Sequence, residues 1–295
     1  MPPYGLTFMT TLRLRLSPLW NLIRLGRPTG TLLLFIPCTW GLILGAQGRP
    51  SLKGLCLFFM GAFLMRSAGC AYNDWVDQDY DKQVSRTHLR PLAVGSLTSP
   101  QAWAAIGALL FLAGLVFLAL PPLSQSFALL ALPLVALYPW MKRITRFPQV
   151  ILGMAYNMGV FVGYAYESSS IPLPFALAFL YGAALLWTVY FDTLYAHQDR
   201  REDQALGLHS TTHLMPSSPK GFLALVLVSM QLSLYLFFYS THSSFPLMAL
   251  STVATIILGG ALIPLDLEDS QACLKAFKRS TLWGATHSLL FLYFF

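Results

Sequence analysis

The chain has 295 residues, of which 56% are hydrophobic, 14% aromatic and 11% charged, with a formal net charge of +7. An average soluble domain carries roughly 25% charged residues, so this much charge cannot cover a soluble surface of such length. Those numbers exclude a disordered chain, a nucleic-acid binder with a basic face and a disulfide-stapled secreted scaffold, and leave a polytopic membrane protein whose main solvent is the lipid bilayer.

Residues 1–28 form a basic N-terminal segment with four Arg and no acid, a composition compatible with a short targeting segment. Apolar runs follow at 30–47, 52–72, 101–120, 122–141, 148–166, 172–190, 221–239, 244–265 and 280–295. Each is close to the ~17–25 residues that span a bilayer, the last being short. Helix is the expected form, because unpaired backbone groups in lipid cost several kcal/mol each. The sequence therefore predicts an all-α integral membrane protein. It would be a single domain over 1–295, a bundle of about nine transmembrane helices around a central apolar cavity. Breaks between runs hold Pro, Gly, Ser and charge, as in Gln47-Gly48-Arg49-Pro50 and Ser168-Ser169-Ser170-Ile171-Pro172. The scattered cysteines Cys38, Cys56, Cys70 and Cys273 contain no CxxC pair and read as small apolar packing residues.

Nine helices put every loop after an even-numbered helix on the side of the N-terminus. Of the 19 basic residues, 16 then share that side, with Arg49 and Lys53 opposite and Arg66 inside the second run. The positive-inside rule turns the crowded side to the cytosol or a matrix compartment. Eleven of the 12 acidic residues lie there too, only Glu167 being opposite. The rule does not ask for this, since acidic residues contribute little to it.

Those acids form two clusters with helical spacing. In Asn73-Asp74-Trp75-Val76-Asp77-Gln78-Asp79-Tyr80-Asp81, the residues Asn73, Asp77 and Asp81 fall on one face if the helix continues. The second cluster runs from Asp192 to Asp203, with Asp199 and Asp203 again four apart. Carboxylates stacked on one face repel. A purely structural reading gives each a basic partner from Arg86, Arg90, Arg200 and Arg201; the alternative places divalent cations between them. Oxygen ligands without convergent Cys or His suit Mg²⁺ before Ca²⁺ or Mn²⁺. Mg²⁺ is commonly shared with substrate phosphates, so two clusters facing each other across a bundle would hold a diphosphate. Arg86, Arg90, Lys142 and Arg143, basic side chains assigned to the same side, would neutralise its remaining charge. The surrounding bundle, rich in Phe, Tyr, Trp and Met, suits a greasy chain on that diphosphate. An isoprenyl diphosphate fits these features.

Asn73-Asp-x-x-Asp77-x-x-x-Asp81, continuing into Arg86-Thr87 and Arg90-Pro91-Leu92, resembles the first motif of the UbiA family of intramembrane prenyltransferases. Phe191-Asp192-Thr193-Leu194-Tyr195-Ala196-His197-Gln198-Asp199-Arg200-Arg201-Glu202-Asp203 resembles its second motif. Tyr138-Pro139-Trp140-Met141-Lys142 is similar to the family's YxxxK element, and Arg27-Pro28-Thr29-Gly30-Thr31 to its entrance to the first helix. The likeness covers residues 24–212, with weaker likeness near Asp266 to Gly284. Within the family the 4-hydroxybenzoate polyprenyltransferases of ubiquinone synthesis are the nearest branch. Three departures, Gly26 for the usual Asp, His209 for the usual Lys and a likeness that starts near residue 20, turn the reading toward meroterpenoid enzymes that farnesylate phenolic acids.

The resemblance implies Mg²⁺-assisted ionisation of an allylic diphosphate and attack by an electron-rich aromatic carbon. Asp77, Asp81, Asp199 and Asp203 would bind metal with Asn73, and Arg86, Arg90, Lys142 and Arg143 the diphosphate, within active-site loops over 73–99 and 191–219. Asp77, Asp199 and Asp192 are the candidate catalytic residues, with Asp192 also orienting the acceptor. A guanidinium within a membrane helix is expensive and a functional candidate by default. Arg66 therefore reads as a fork for the carboxylate of a phenolic aromatic acid, with a salt bridge to Asp74 or Asp77 as the bland alternative. Arg24 would join it or snorkel to the interface. His197 is expected in a plain hydrogen-bonding role. A transporter is the competing class, although ion-binding groups at the midplane of broken helices are not the pattern here. The organelle stays open between endoplasmic reticulum and mitochondrial inner membrane.

Overall fold

The computed structural model describes residues 17–168, 174–214 and 217–295. Arg13 and Arg15 of the basic segment, the break over 169–172 and residues 215–216 of the second loop lie outside them. The described residues are helical and contain no strand. After a short helix over 17–22 come α1 (Thr29–Gly45), α2 (Leu52–Val76), α3 (Ser99–Leu118), α4 (Pro122–Leu137), α5 (Pro148–Asn157) and α6 (Gly159–Ser168). Then follow α7 (Ala176–Ala196), α8 (Pro219–Ser240), α9 (Phe245–Gly260) and α10 (Ser270–Phe294). Five helical stretches are long and apolar enough to cross a membrane, namely Leu52–Val76, Ser99–Leu118, Pro122–Ile144, Ala176–Ala205 and Pro219–Ser240. α1 and α9 are apolar but shorter.

Several boundaries differ from the sequence expectation. The run at 148–166 is two helices. Asn157, fully buried, donates to the Gly153 carbonyl at 2.7 Å and to Thr188 Oγ1 at 2.8 Å. A side chain that competes for a helix carbonyl in this way interrupts the ladder. α7 continues to Ala196, so Asp192 stands on a helix rather than in a loop, and α10 starts at Ser270, capped by Asp269, which accepts from Gln271 N at 2.8 Å. At the start of α2, Ser51 caps Gly54 N at 3.0 Å. Its own N–H and hydroxyl donate to Glu167 at 2.9 and 2.7 Å, which ties α6 to α2.

The core lies among α1, α7, α8 and α10. Trp40, Trp187 and Trp283 meet there at ring-centroid distances of 5.5–6.0 Å, flanked by the fully buried Phe237 and Phe291. Buried His287 bonds Ser251 Oγ and the Trp283 carbonyl, each at 2.9 Å. α1 and α6 touch backbone to backbone, for a side-chain carbon on Gly41 or Gly163 would overlap main-chain atoms of the other helix. This close approach of small residues is a common way to join helices in lipid. The four cysteines are free; only Cys56 is exposed.

Candidate active site

A cavity of about 1100 Å³ lies among α1 to α7 and is closed on one side by the start of α10. At one end its wall is charged, at the other apolar. Asn73, Asp77 and Asp81 from the end of α2 line the charged end, opposite Asp192, Asp199 and Asp203 from α7 and the turns beyond it. The first cluster keeps helical spacing across the end of α2, since Asp77 N bonds Asn73 O at 2.9 Å and Asp81 N bonds Asp77 O at 2.8 Å. In the second, a 3-10 turn (His197–Asp199) and one helical turn (Arg200–Ala205) carry Asp199 and Asp203 inward.

Arg24, Arg66, Arg86, Arg90 and Lys142 line the same cavity; Arg143 does not. Within it the carboxylates meet cations. Arg86 forks onto Asp199 and donates to Tyr195 Oη at 2.7 Å, its guanidinium 4.8 Å from the Tyr195 ring centroid. Arg90 bonds Asp81 at 2.8 Å and Asp74 at 3.0 Å. Lys142 Nζ lies 3.9 Å from Asp203. Arg143 bonds Asp77 at 3.0 Å from outside the cavity. Asn73 donates to Asp77 Oδ2 at 3.3 Å. Among the described residues no three His, Cys, Asp or Glu side chains converge into a ready cage for an ion. Of the basic partners in the structural reading, Arg86 and Arg90 pair with the clusters, whereas Arg200 and Arg201 reach Glu268 and Lys142 and Arg143 stand in their place.

Burial pushes the Asp77 carboxyl above its ordinary range; Asp81 adds to the push, while Lys142 and Arg143 oppose it. Burial works against the charge on Arg86 and Arg90, yet the carboxylates facing them outweigh it and their pKa values rise.

Arg66 pairs with neither Asp74 nor Asp77. Its Nη1 reaches Cys70 Sγ, while its Nε is buried with no partner. Gly30 lies against the guanidinium, where any side chain would overlap it, and Tyr156 Oη contacts the Gly30 carbonyl at 3.5 Å. Arg24 does not snorkel outward but bonds Asp74 at 2.7 Å, from a backbone with φ of 58°. Asp74 was not among the sequence candidates, although it receives two arginines and is almost fully buried. Its place one residue off the Asn73–Asp77–Asp81 stripe hid it. His197 departs from expectation, being buried with neither ring nitrogen partnered. The two loops are joined by Glu202, which accepts from Ser85 N at 3.1 Å and from its hydroxyl.

The apolar end runs between α1, α2, α3, α4 and α6, past Cys38, Phe58, Phe117 and Val162. α3 packs on α2 and hardly meets α4. Leu110, Leu129 and Leu132 line the cavity there and are exposed.

The profile of the UbiA prenyltransferase family matches residues 34–290. The chain belongs to that family. It is a prenyltransferase, an enzyme that transfers alkyl groups other than methyl. It is 38% identical over 275 residues to the mitochondrial 4-hydroxybenzoate polyprenyltransferase of Caenorhabditis elegans, covering 91% of this chain and 76% of that one. To the 4-hydroxybenzoate octaprenyltransferase of Azotobacter vinelandii it is 38% identical over 259 residues, covering 87% and 86%. Among solved structures, a UbiA homolog from Archaeoglobus fulgidus bound to GPP and Mg²⁺ superposes with a TM-score of 0.70. That match has 18% identity and covers 94% of this chain and 99% of the other; at that identity it speaks for the fold.

The donor set suits a hard divalent ion. Asn73, Asp77, Asp81, Asp199 and Asp203 offer oxygen without thiolate or imidazole. Beside them, Asp74 Oδ2 is buried without a partner, an acceptor that the hydrogen bonds of the polar end leave unsatisfied.

Proposed function

We propose that this UbiA-family prenyltransferase moves an isoprenyl group from its diphosphate onto a ring carbon of a phenolic aromatic acid, 4-hydroxybenzoate in the first instance. The carrying observation is the single cavity that is charged at one end and apolar at the other, with an incompletely partnered arginine, Arg66, in its wall. The bundle would cross the bilayer about nine times, which the helical boundaries support without counting the crossings. Resemblance to mitochondrial relatives favours the mitochondrial inner membrane over the endoplasmic reticulum.

In this reading Asn73, Asp77, Asp81, Asp199 and Asp203 hold Mg²⁺, which when bound neutralises the charge that builds on a departing diphosphate. Arg86, Arg90 and Lys142 leave their carboxylates for the diphosphate oxygens. The bond between the allylic carbon and diphosphate oxygen breaks, a carbon–carbon bond forms at the acceptor ring, and the ring loses a proton. Arg66, with Arg24, takes the acceptor carboxylate through a two-pronged contact. Asp192, which lines the same cavity from α7, orients the phenol and accepts its proton or that of the ring. The isoprenyl chain lies along the apolar end.

The relatives support the 4-hydroxybenzoate reading over the farnesylated meroterpenoid one, which none of the named relatives carries. One observation favours keeping other phenolic acids in view. Gly26 lines the cavity with open space where a side chain would start, so the pocket lacks a carboxylate that the branch usually has. The test is to feed membranes containing the protein with isoprenyl diphosphates of several lengths, Mg²⁺, and either radiolabelled 4-hydroxybenzoate or an orsellinic-type acid. A prenylated phenolic acid that needs Mg²⁺ is expected. Absence of product from every pair, with solute flux instead, would favour a transporter.

A further inference from the structure

Arg143 is a basic residue beside the cavity that does not reach into it. Its Nη2 donates to Asp77 Oδ1 and to the Val76 carbonyl, both at 3.0 Å, while its Nε is buried with no partner. The guanidinium sits over two rings, 4.7 Å from the Tyr80 centroid and 4.8 Å from that of Trp140. A cation over aromatic faces is held in orientation as well as attracted. Its neighbour Lys142 leaves the same short turn (Met141–Ile144) in the other direction, into the cavity, toward Asp203. The Lys142 carbonyl also accepts from His209 N at 2.7 Å. One helical turn thus spans the two acidic clusters, Arg143 on the first and Lys142 on the second.

We propose that Arg143 is a positioning residue for Asp77 and not a diphosphate ligand. By holding Oδ1 it keeps the Asp77 carboxylate where Oδ2 accepts from Asn73 Nδ2, so that two of the first cluster's three ligand side chains stay side by side. This rests on the metal-and-diphosphate reading above. Arg86 and Arg90, by contrast, line the cavity and are free to exchange a carboxylate for a phosphate. Loss of an outer partner that orients a metal ligand typically lowers metal affinity by about 10–100-fold. Lysine keeps the charge but has neither the fork nor the flat face.

The test uses the purified full chain in lipid nanodiscs, with Mn²⁺ followed by electron paramagnetic resonance and inorganic pyrophosphate as the anion probe. Arg143→Lys should weaken Mn²⁺ binding by about 10–100-fold and leave pyrophosphate affinity at saturating Mn²⁺ unchanged. Trp140→Leu removes half the aromatic clamp without touching a charge and should shift Mn²⁺ binding the same way, less strongly. It decides the matter if the first variant does not fold. Unchanged Mn²⁺ affinity in the folded variants, or a loss confined to pyrophosphate at saturating Mn²⁺, would overturn the inference alone. Wild-type protein that binds no Mn²⁺ with or without pyrophosphate would overturn the functional reading and this inference with it.

Discussion

Arg66 and Asp199 are both charged groups beside one cavity, and they differ in what already occupies them. Asp199 has a fork from Arg86, while Arg66 has a buried Nε with no partner. Leaving a buried donor unmade is costly. Arg143 Nε is unpartnered too, but Arg66 lines the cavity and Arg143 does not, so Arg66 is the one poised for an anion, whereas the aspartate must exchange one partner for another. Two expectations follow at this scale. Arg66→Ala should raise the KM for the aromatic acid by about ten- to a hundredfold, the worth of a hydrogen bond to a charged group, with kcat at saturating acceptor little changed. An unmoved acceptor KM in steady-state assays would remove Arg66 from the carboxylate pocket. Asp199→Asn keeps the shape but not the charge, and should cut turnover by about a hundredfold or more, while the amount of folded protein in membranes is kept. The sequence could single out Arg66 because a charge inside an apolar run needs a reason. It could not find the yoke made by Asp74, because only the folded chain brings Arg24 and Arg90 to one carboxylate oxygen.

Among the elements, apolar run lengths made most of the helices legible, and the acidic clusters at the ends of α2 and α7 marked where the polar chemistry would gather. What run length could not convey is the break at Asn157, which depends on Thr188 of α7 arriving as a second acceptor, nor the carriage of Asp192 on helix rather than loop. The seam between α1 and α6 is also a tertiary feature. A side-chain carbon on Gly163 would overlap the Cys38 carbonyl and crowd Leu42 N, and backbone cannot move aside as a flexible side chain can. Gly163→Val should therefore separate the two helices and deplete folded, monodisperse protein in detergent. A normal yield with unaltered thermal unfolding would show that the seam tolerates side chains. Gly107, with nothing near the place a side chain would occupy, is the matched control, and Gly107→Val should be well tolerated.

Over the whole molecule, the scarcity of charge names the solvent and its arrangement names a side. With 11 of 12 acids and 16 of 19 basic residues assigned to one face, the topology is open to a direct check. In a background with the native cysteines replaced, Asp79→Cys should react with a membrane-impermeant maleimide from the face that carries the two acidic clusters. Glu167→Cys, at the end of α6 beside Ser51, should react only from the other face. Labelling of both from one face would refute the assignment.

Composition, run length and the order of motifs determined by themselves that the chain is helical, lives in lipid and carries the UbiA pattern, because those properties are local or cumulative along the chain. Tertiary structure alone decided which charges share the cavity. Arg143 and Lys142 are adjacent in sequence, yet a helical turn sends one onto the rings of Tyr80 and Trp140 and the other into the cavity. Direction around a turn and the partner met at its end depend on how distant segments pack, and no spacing along the chain encodes the result.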